Sequence, residues 1–322
     1  MRLALIFCVL ALPALADVET VLEDHILPGH QRLVEETATL AETARADCTA
    51  ETLRPAFHEA YDAWISVSHI QFGPIEDRAL TIAMTFWPDP KDSTGKALTR
   101  LVAAADPIVD QPEAFRDVSA AAQGFTALER LLYDPQPDAD YGCRLTRAIT
   151  TELARKSTIL AEDWPDFAAQ MRTAGQPNNT RFQSDREVQR ALYTALSTGL
   201  EFLHDQRLGR PLGTFDRPRP RRAEARRSER SLRHVALSLA ALEELALMMS
   251  DAALPDTRNT FTIARSRAAD LDDPSLQGVA DPGGRFRVEL IQQAVRDVQV
   301  AVIREIGTPL GITAGFNSLD GD

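Results

Sequence analysis

The sequence predicts an all-α protein. Apolar residues recur at helical spacing almost throughout, and no segment alternates apolar and polar residues over a useful length. No G-x-G-x-x-G or P-loop glycine pattern occurs, which argues against a nucleotide-binding α/β fold. Of 322 residues, 44% are hydrophobic and 25% charged, enough apolar material for a substantial core and too much for a disordered chain.

The first sixteen residues read as a leader. Arg2 is the positive end, Leu3 to Leu12 form a short apolar run, and Ala14-Leu15-Ala16 is an A-x-A cleavage site, so the mature chain is expected to begin at Asp17. This makes the protein an exported, periplasmic one. No later stretch is long and uncharged enough to span a bilayer. Export leaves Cys48 and Cys143 as the cysteines of the mature chain in an oxidising compartment, where a Cys48–Cys143 disulfide is expected; two unpaired thiols are the alternative. The bridge would close a loop worth roughly 4 kcal/mol in the chain-entropy picture.

After the leader a helix is expected near 30–46, followed by one carrying Phe57, Tyr61, Trp64 and Ser68 on one face. Further helices are read near 93–104 and 115–133, the latter with Phe115, Val118, Ala122, Phe125 and Leu132 in one stripe. The polar, proline-bearing run 134–141 is the better domain boundary, giving an N-terminal unit of 17–138 and a C-terminal unit of 139–322. The second unit is read as helices near 144–163, 186–204 and 228–251, with a polar loop at 173–185. A last helix carries Val288, Ile291, Val295, Val298 and Val302 in a 3-4-3-4 pattern and is expected to stop at Gly307, with Pro309 barring continuation.

The formal net charge of -12 argues against a nucleic-acid partner, because phosphate affinity needs a basic surface. The one basic stretch, Arg207 to Arg233, holds ten arginines against Asp216, Glu224 and Glu229. It lacks the interleaved aromatics of a base-stacking surface, and is expected to lie against acidic faces where the two units meet.

Glu129 fills the gap in the apolar stripe of the 115–133 helix. A carboxylate on an inward face needs an arginine, hydrogen-bond donors or a metal to offset its lost hydration. Gly124-Phe125-Thr126-Ala127-Leu128-Glu129, followed by Leu131-Leu132-Tyr133, resembles the G-x-H-x-x-E motif of the imelysin family of bacterial envelope proteins. Phe72-Gly73-Pro74, Phe86-Trp87-Pro88-Asp89, the run Arg207 to Gly213 and the ending Gly315 to Asp322 resemble the family as well. The resemblance spans essentially the mature chain. It implies two four-helix bundles related by duplication, a site near their junction, and either a metallopeptidase or a protein of iron uptake with iron-uptake or redox envelope proteins as partners.

Thr126 stands where the family motif has histidine, leaving one strong donor on that turn. Gly199-Leu200-Glu201-Phe202-Leu203-His204 repeats the spacing of Gly124, Thr126 and Glu129 with acid and imidazole exchanged. If the halves are duplicated, Glu129, Glu201 and His204 could share one metal ion, iron or another divalent or trivalent ion, with Gly124, Thr126 and Gly199 in support. An arginine paired with Glu129 would make the metal unnecessary. The expected function is therefore iron binding in acquisition or handling, with a scaffold carrying a degenerate site, or a peptidase, as alternatives.

Other candidates are weaker. His58-Glu59 begins an H-E-x-x-H pattern but Asp62 replaces the second histidine, and no G-x-S-x-G elbow exists. His25 and His30 flank Pro28-Gly29 and are read as surface residues, while His69 and His234 have no identifiable partner.

Overall fold

The computed structural model describes residues 18–135 and 139–312; the expected leader and the ending Gly315 to Asp322 lie outside them. The described residues are helical with no strand, and only an isolated bridge joins Thr214 to Arg217. A short helix, Val18–Val21, and a π turn, Leu22–Ile26, lead into α1 (Leu27–Ala46). Then come α2 (Ala50–Val67), α3 (Ser93–Ala104), α4 (Gly124–Tyr133) and the long α5 (Ala139–Arg172). The remainder is α6 (Asp185–Glu201), a π turn at Phe202–Leu208, α7 (Ser231–Met248), α8 (Pro255–Ala269) and α9 (Pro282–Val302).

Two hydrophobic cores organise these helices. The first packs Leu33 and Leu40 of α1, Phe57 and Tyr61 of α2, Phe125 and Leu128 of α4, and Tyr141, Leu145 and Leu153 of α5. The second packs Trp164 and Phe167 of α5 with Leu192 and Leu196 of α6, Val235 and Leu242 of α7, Phe261 of α8, and the whole Val288-to-Val302 stripe of α9. α5 thus serves both cores, and Leu22 and Ile26 at the amino-terminal end belong to the second. A cut at 138/139 does not separate the cores, because burial follows the length of α5 rather than the polar run before it. The Cys48–Cys143 disulfide is present, tying the link after α1 to the first turns of α5 at a Cα separation of 5.4 Å.

Three local features depart from the helical pattern. The stripe from Phe115 to Leu132 is not one helix: Pro112–Phe115 and Ala120–Ala122 are short turns, and α4 starts only at Gly124. The buried Gln123 amide donates to the carbonyls of Phe115, Arg116 and Val118, holding the chain in a bend. Gly124 follows at φ +75°, where a Cβ would stand 2.4 Å from the Met84 carbonyl oxygen, so only glycine fits this crossing. The helix expected at 186–204 changes at Phe202 from α to π geometry. Finally, α8 lies in a stretch with little apolar periodicity, its buried side chains being Thr257, Phe261, Ala264 and Ala268.

Candidate functional site at the junction of the cores

The end of α2, the loop around Thr85 and Trp87, α6 with its π turn, Glu224 and α7 together wall a cavity of about 450 Å³. Trp64, Trp87 and Phe202 give it aromatic faces, while Thr198, Glu201 and Asp205 add polar atoms. The hydroxyl of Thr85 is buried in this wall without a hydrogen-bond partner among the described residues. A smaller recess of about 90 Å³ adjoins it, sharing Trp87 and Glu224 and reaching Thr126 and Glu129.

A buried polar chain fastens the region. Arg207 donates from Nε to Glu224 Oε2 at 2.8 Å and from Nη1 to Ser238 Oγ at 2.9 Å, while its plane lies 5.0 Å from the Phe202 ring centre. His234 Nδ1 lies 3.1 Å from the same Glu224 oxygen. The buried His234 Nε2 has no hydrogen-bond partner among the described residues. Burial alone would raise the Glu224 pKa, but the Arg207 and His234 interactions outweigh it and hold the carboxyl down at about 2. Glu224 is a fixed anion.

Glu129 is 3% exposed, as its place in the stripe requires, and its Oε1 accepts from the Ser228 backbone N–H at 2.9 Å and the Ser228 hydroxyl at 2.8 Å. These donors come from the arginine-rich segment, and among the described residues no arginine is seen in salt-bridge contact with Glu129. Thr126 sits one turn earlier on α4, its hydroxyl buried; the Tyr61 hydroxyl lies beside it without completing a hydrogen bond. Burial pushes the Tyr61 phenol well above its ordinary range, so it stays protonated.

Glu201 and His204 meet different surroundings. In an α-helix an i, i+3 pair shares a face, but the wider π turn that begins at Phe202 rotates the following residues. Glu201 lines the large cavity, whereas His204 turns to Asp205, with Nδ1 2.6 Å from Oδ1. Gly199 serves packing: a Cβ there would meet Leu242 at 2.6 Å. Among the described residues no group of three or more His, Cys, Asp and Glu side chains is arranged to hold a metal ion, so Glu129, Glu201 and His204 are not gathered into one. The donor set does not fit a resident metal: Glu129 is engaged by Ser228, Glu224 by Arg207 and His234, and His204 by Asp205.

The family model for imelysin, peptidase M75, matches residues 26–302. The chain belongs to the imelysin family. Its fold is similar to that of an imelysin-like protein from Psychrobacter arcticum, with a TM-score of 0.76 at 17% identity over 93% of this chain and 96% of that one. A candidate iron-regulated protein A precursor from Parabacteroides distasonis is similar too, with a TM-score of 0.72 at 13% identity over 93% of this chain and 94% of that one. No curated protein was found to match the chain.

In this imelysin-family chain several site residues lie outside the sequence motif. The arginine-rich segment does lie against acidic side chains, with Arg227 on Asp134 and Arg230 and Arg233 on Asp62. Glu224 and Ser228 lie within it and His234 just after it, and a single polar residue among many charges has no periodic signature. His25 and His30 are buried rather than exposed, since the helix runs through Pro28-Gly29 unbroken. The missing partners of His69 and His234 are His25 and Glu224.

Proposed function

We propose that this chain is exported to the periplasm and works there in iron handling as a binding protein, holding a small iron-bearing ligand in the junction cavity and cleaving no peptide. The observation that carries this reading is the cavity itself: about 450 Å³ between the cores, with aromatic faces and an unpartnered buried hydroxyl at Thr85. Family membership and the iron-regulated name of one structural neighbour support iron as the cargo. A bare ion needs converging protein donors, whereas an iron chelate brings its own and asks only for a shaped, partly polar pocket. The partners of such a protein would be iron-uptake or redox proteins of the envelope.

The test uses the mature chain from Asp17, purified without chelators. Iron content is measured, and equilibrium binding is followed with ferric citrate and with free ferric, ferrous and zinc ions, on wild type and on Thr198→Phe, which fills the cavity. Binding of the chelate by wild type and its loss in Thr198→Phe are expected. Equal binding by both proteins would sink the reading. A second reading, a scaffold whose ancestral metal site has decayed, is favoured by Thr126 in the motif and by the engagement of Glu129 with Ser228; it predicts that neither protein binds any of these probes.

A further inference from the structure

The small recess between α4 and the segment around Arg221 carries a charge imbalance that the fold does not resolve internally. Arg130 and Arg227 at its edge are each turned to a carboxylate, Asp92 and Asp134. Arg210, Arg221, Arg222 and Arg226 also line it, and among the described residues none of these four has a carboxylate within salt-bridge distance. Arg210 is bonded to the neutral Gln206 amide and Arg226 to the Arg221 carbonyl.

The three acids that line the recess, Asp89, Glu129 and Glu224, are outnumbered by its six arginines, and each is already hydrogen-bonded. Asp89 accepts from the backbone N–H groups of Ser93 and Thr94 at 2.8 Å, Glu129 from Ser228, and Glu224 from Arg207. Burial first, and then Arg222, lowers the pKa of Arg210; burial, Arg227 and Arg221 lower that of Arg226, against a smaller raising effect of Glu129 and Asp134. Like charges crowd here in a chain whose net charge is -12. The Thr126 hydroxyl, buried and without a hydrogen-bond partner among the described residues, adds a donor on the α4 side.

We infer that this recess is an oxyanion site, taking a phosphate group or the carboxylates of a small polycarboxylate through Arg210, Arg221, Arg222 and Arg226 with Thr126 as a neutral donor. The planar guanidinium fork matches the oxygens of both groups. A volume of about 90 Å³ admits a compact anionic head, while the rest of the molecule extends outward or into the adjoining cavity. The inference rests on the recess alone and stands or falls separately from the iron-chelate reading.

Calorimetry at low salt with inorganic phosphate and with metal-free citrate tests it, on wild type, on the double variant Arg221→Ala/Arg222→Ala, and on Arg32→Ala in α1 as a control. Both recess positions are exposed, so the fold should survive, which circular dichroism verifies. Wild type and Arg32→Ala are expected to bind at least one probe, more weakly as salt is raised, and the double variant about tenfold or more weaker, equivalent to about 1.4 kcal/mol. Tighter phosphate binding identifies a phosphoryl ligand, and tighter citrate binding a polycarboxylate. Absence of binding by wild type to both probes, or a smaller loss in the double variant, would overturn the site.

Discussion

His25 Nε2 sits 2.9 Å from His69 Nε2, and the other nitrogen of His25 lies 2.9 Å from Glu244 Oε2. A bond between two ring nitrogens needs one N–H and one lone pair, so the contact fails when both rings carry two protons. Burial holds the His69 pKa well below its ordinary value, with the neighbouring His25 adding to the effect. The relationship places a proton-counting contact at the wall of the junction cavity, which His69 lines.

Acid should therefore loosen the fold. His30 is pushed down to about 4, chiefly by burial, against the raising effect of its bond to the Ile26 carbonyl. Both His30 and His69 have folded pKa values below the unfolded 6.5, so between about 4 and 6.5 the unfolded chain binds more protons and stability falls as pH falls. The slope is at most about 1.4 kcal/mol per pH unit for each ring. Urea midpoints at pH 7.5, 6 and 5 read it, and His30→Gln should flatten it; a midpoint independent of pH would refute the account.

Removing one partner of the Arg207–Glu224 pair should be costly. Arg207→Ala leaves a buried carboxylate uncompensated and is expected to destabilise by about 3–5 kcal/mol, measured by urea unfolding. Because the Glu224 pKa is depressed to about 2, its stabilising contribution is fully present above about 4.5 and is lost as pH falls toward 2. The loss in Arg207→Ala should accordingly shrink when Glu224→Gln is added; strict additivity of the two would argue against direct coupling.

Glu129→Ala should act on stability rather than on chemistry. It strips the Ser228 backbone N–H of its acceptor, at about 1–3 kcal/mol, while the Ser228 hydroxyl keeps its bond to the Ala225 carbonyl. Peptide hydrolysis by highly purified mature chain should be absent, and added zinc or iron should shift the melting temperature of wild type no more than that of Glu129→Ala. Chelator-sensitive proteolysis lost in Glu129→Ala would restore the peptidase reading.

Reduction of Cys48–Cys143 should lower stability by about 4 kcal/mol, since the bridge closes a separation of 95 residues. Thiol titration of unfolded, unreduced protein should find no free sulfhydryl in the mature chain. Two titratable thiols would remove the bridge.

Much of the fold was legible because core-facing positions repeat. Val288 to Val302 keeps its 3-4-3-4 stripe in the second core, and Phe57, Tyr61 and Trp64 keep theirs in the first. α8 was not legible, because alanines and a threonine occupy most of its buried face and carry little hydropathy contrast. Glu129 could be singled out because a charge on an apolar stripe is an anomaly in one dimension. Its partner Ser228 lies 99 residues away, and no spacing rule reaches that far. Between Glu201 and His204 the sequence rule meets a local change: helical arithmetic assumes 3.6 residues per turn, and the π geometry after Glu201 changes the count.

The length of α5 has a consequence for how the molecule can be taken apart. Tyr141 to Leu160 and Trp164 to Met171 are consecutive stretches of one helix seated in different cores, so loss of either core removes half the lateral support of the same rod. Neither half is a removable module. Native-state hydrogen exchange should show the amides of α5 opening together with those of α1 and α9 in a single cooperative unit, and a fragment ending at Tyr133 should lack the wall on which α1 and α4 rest.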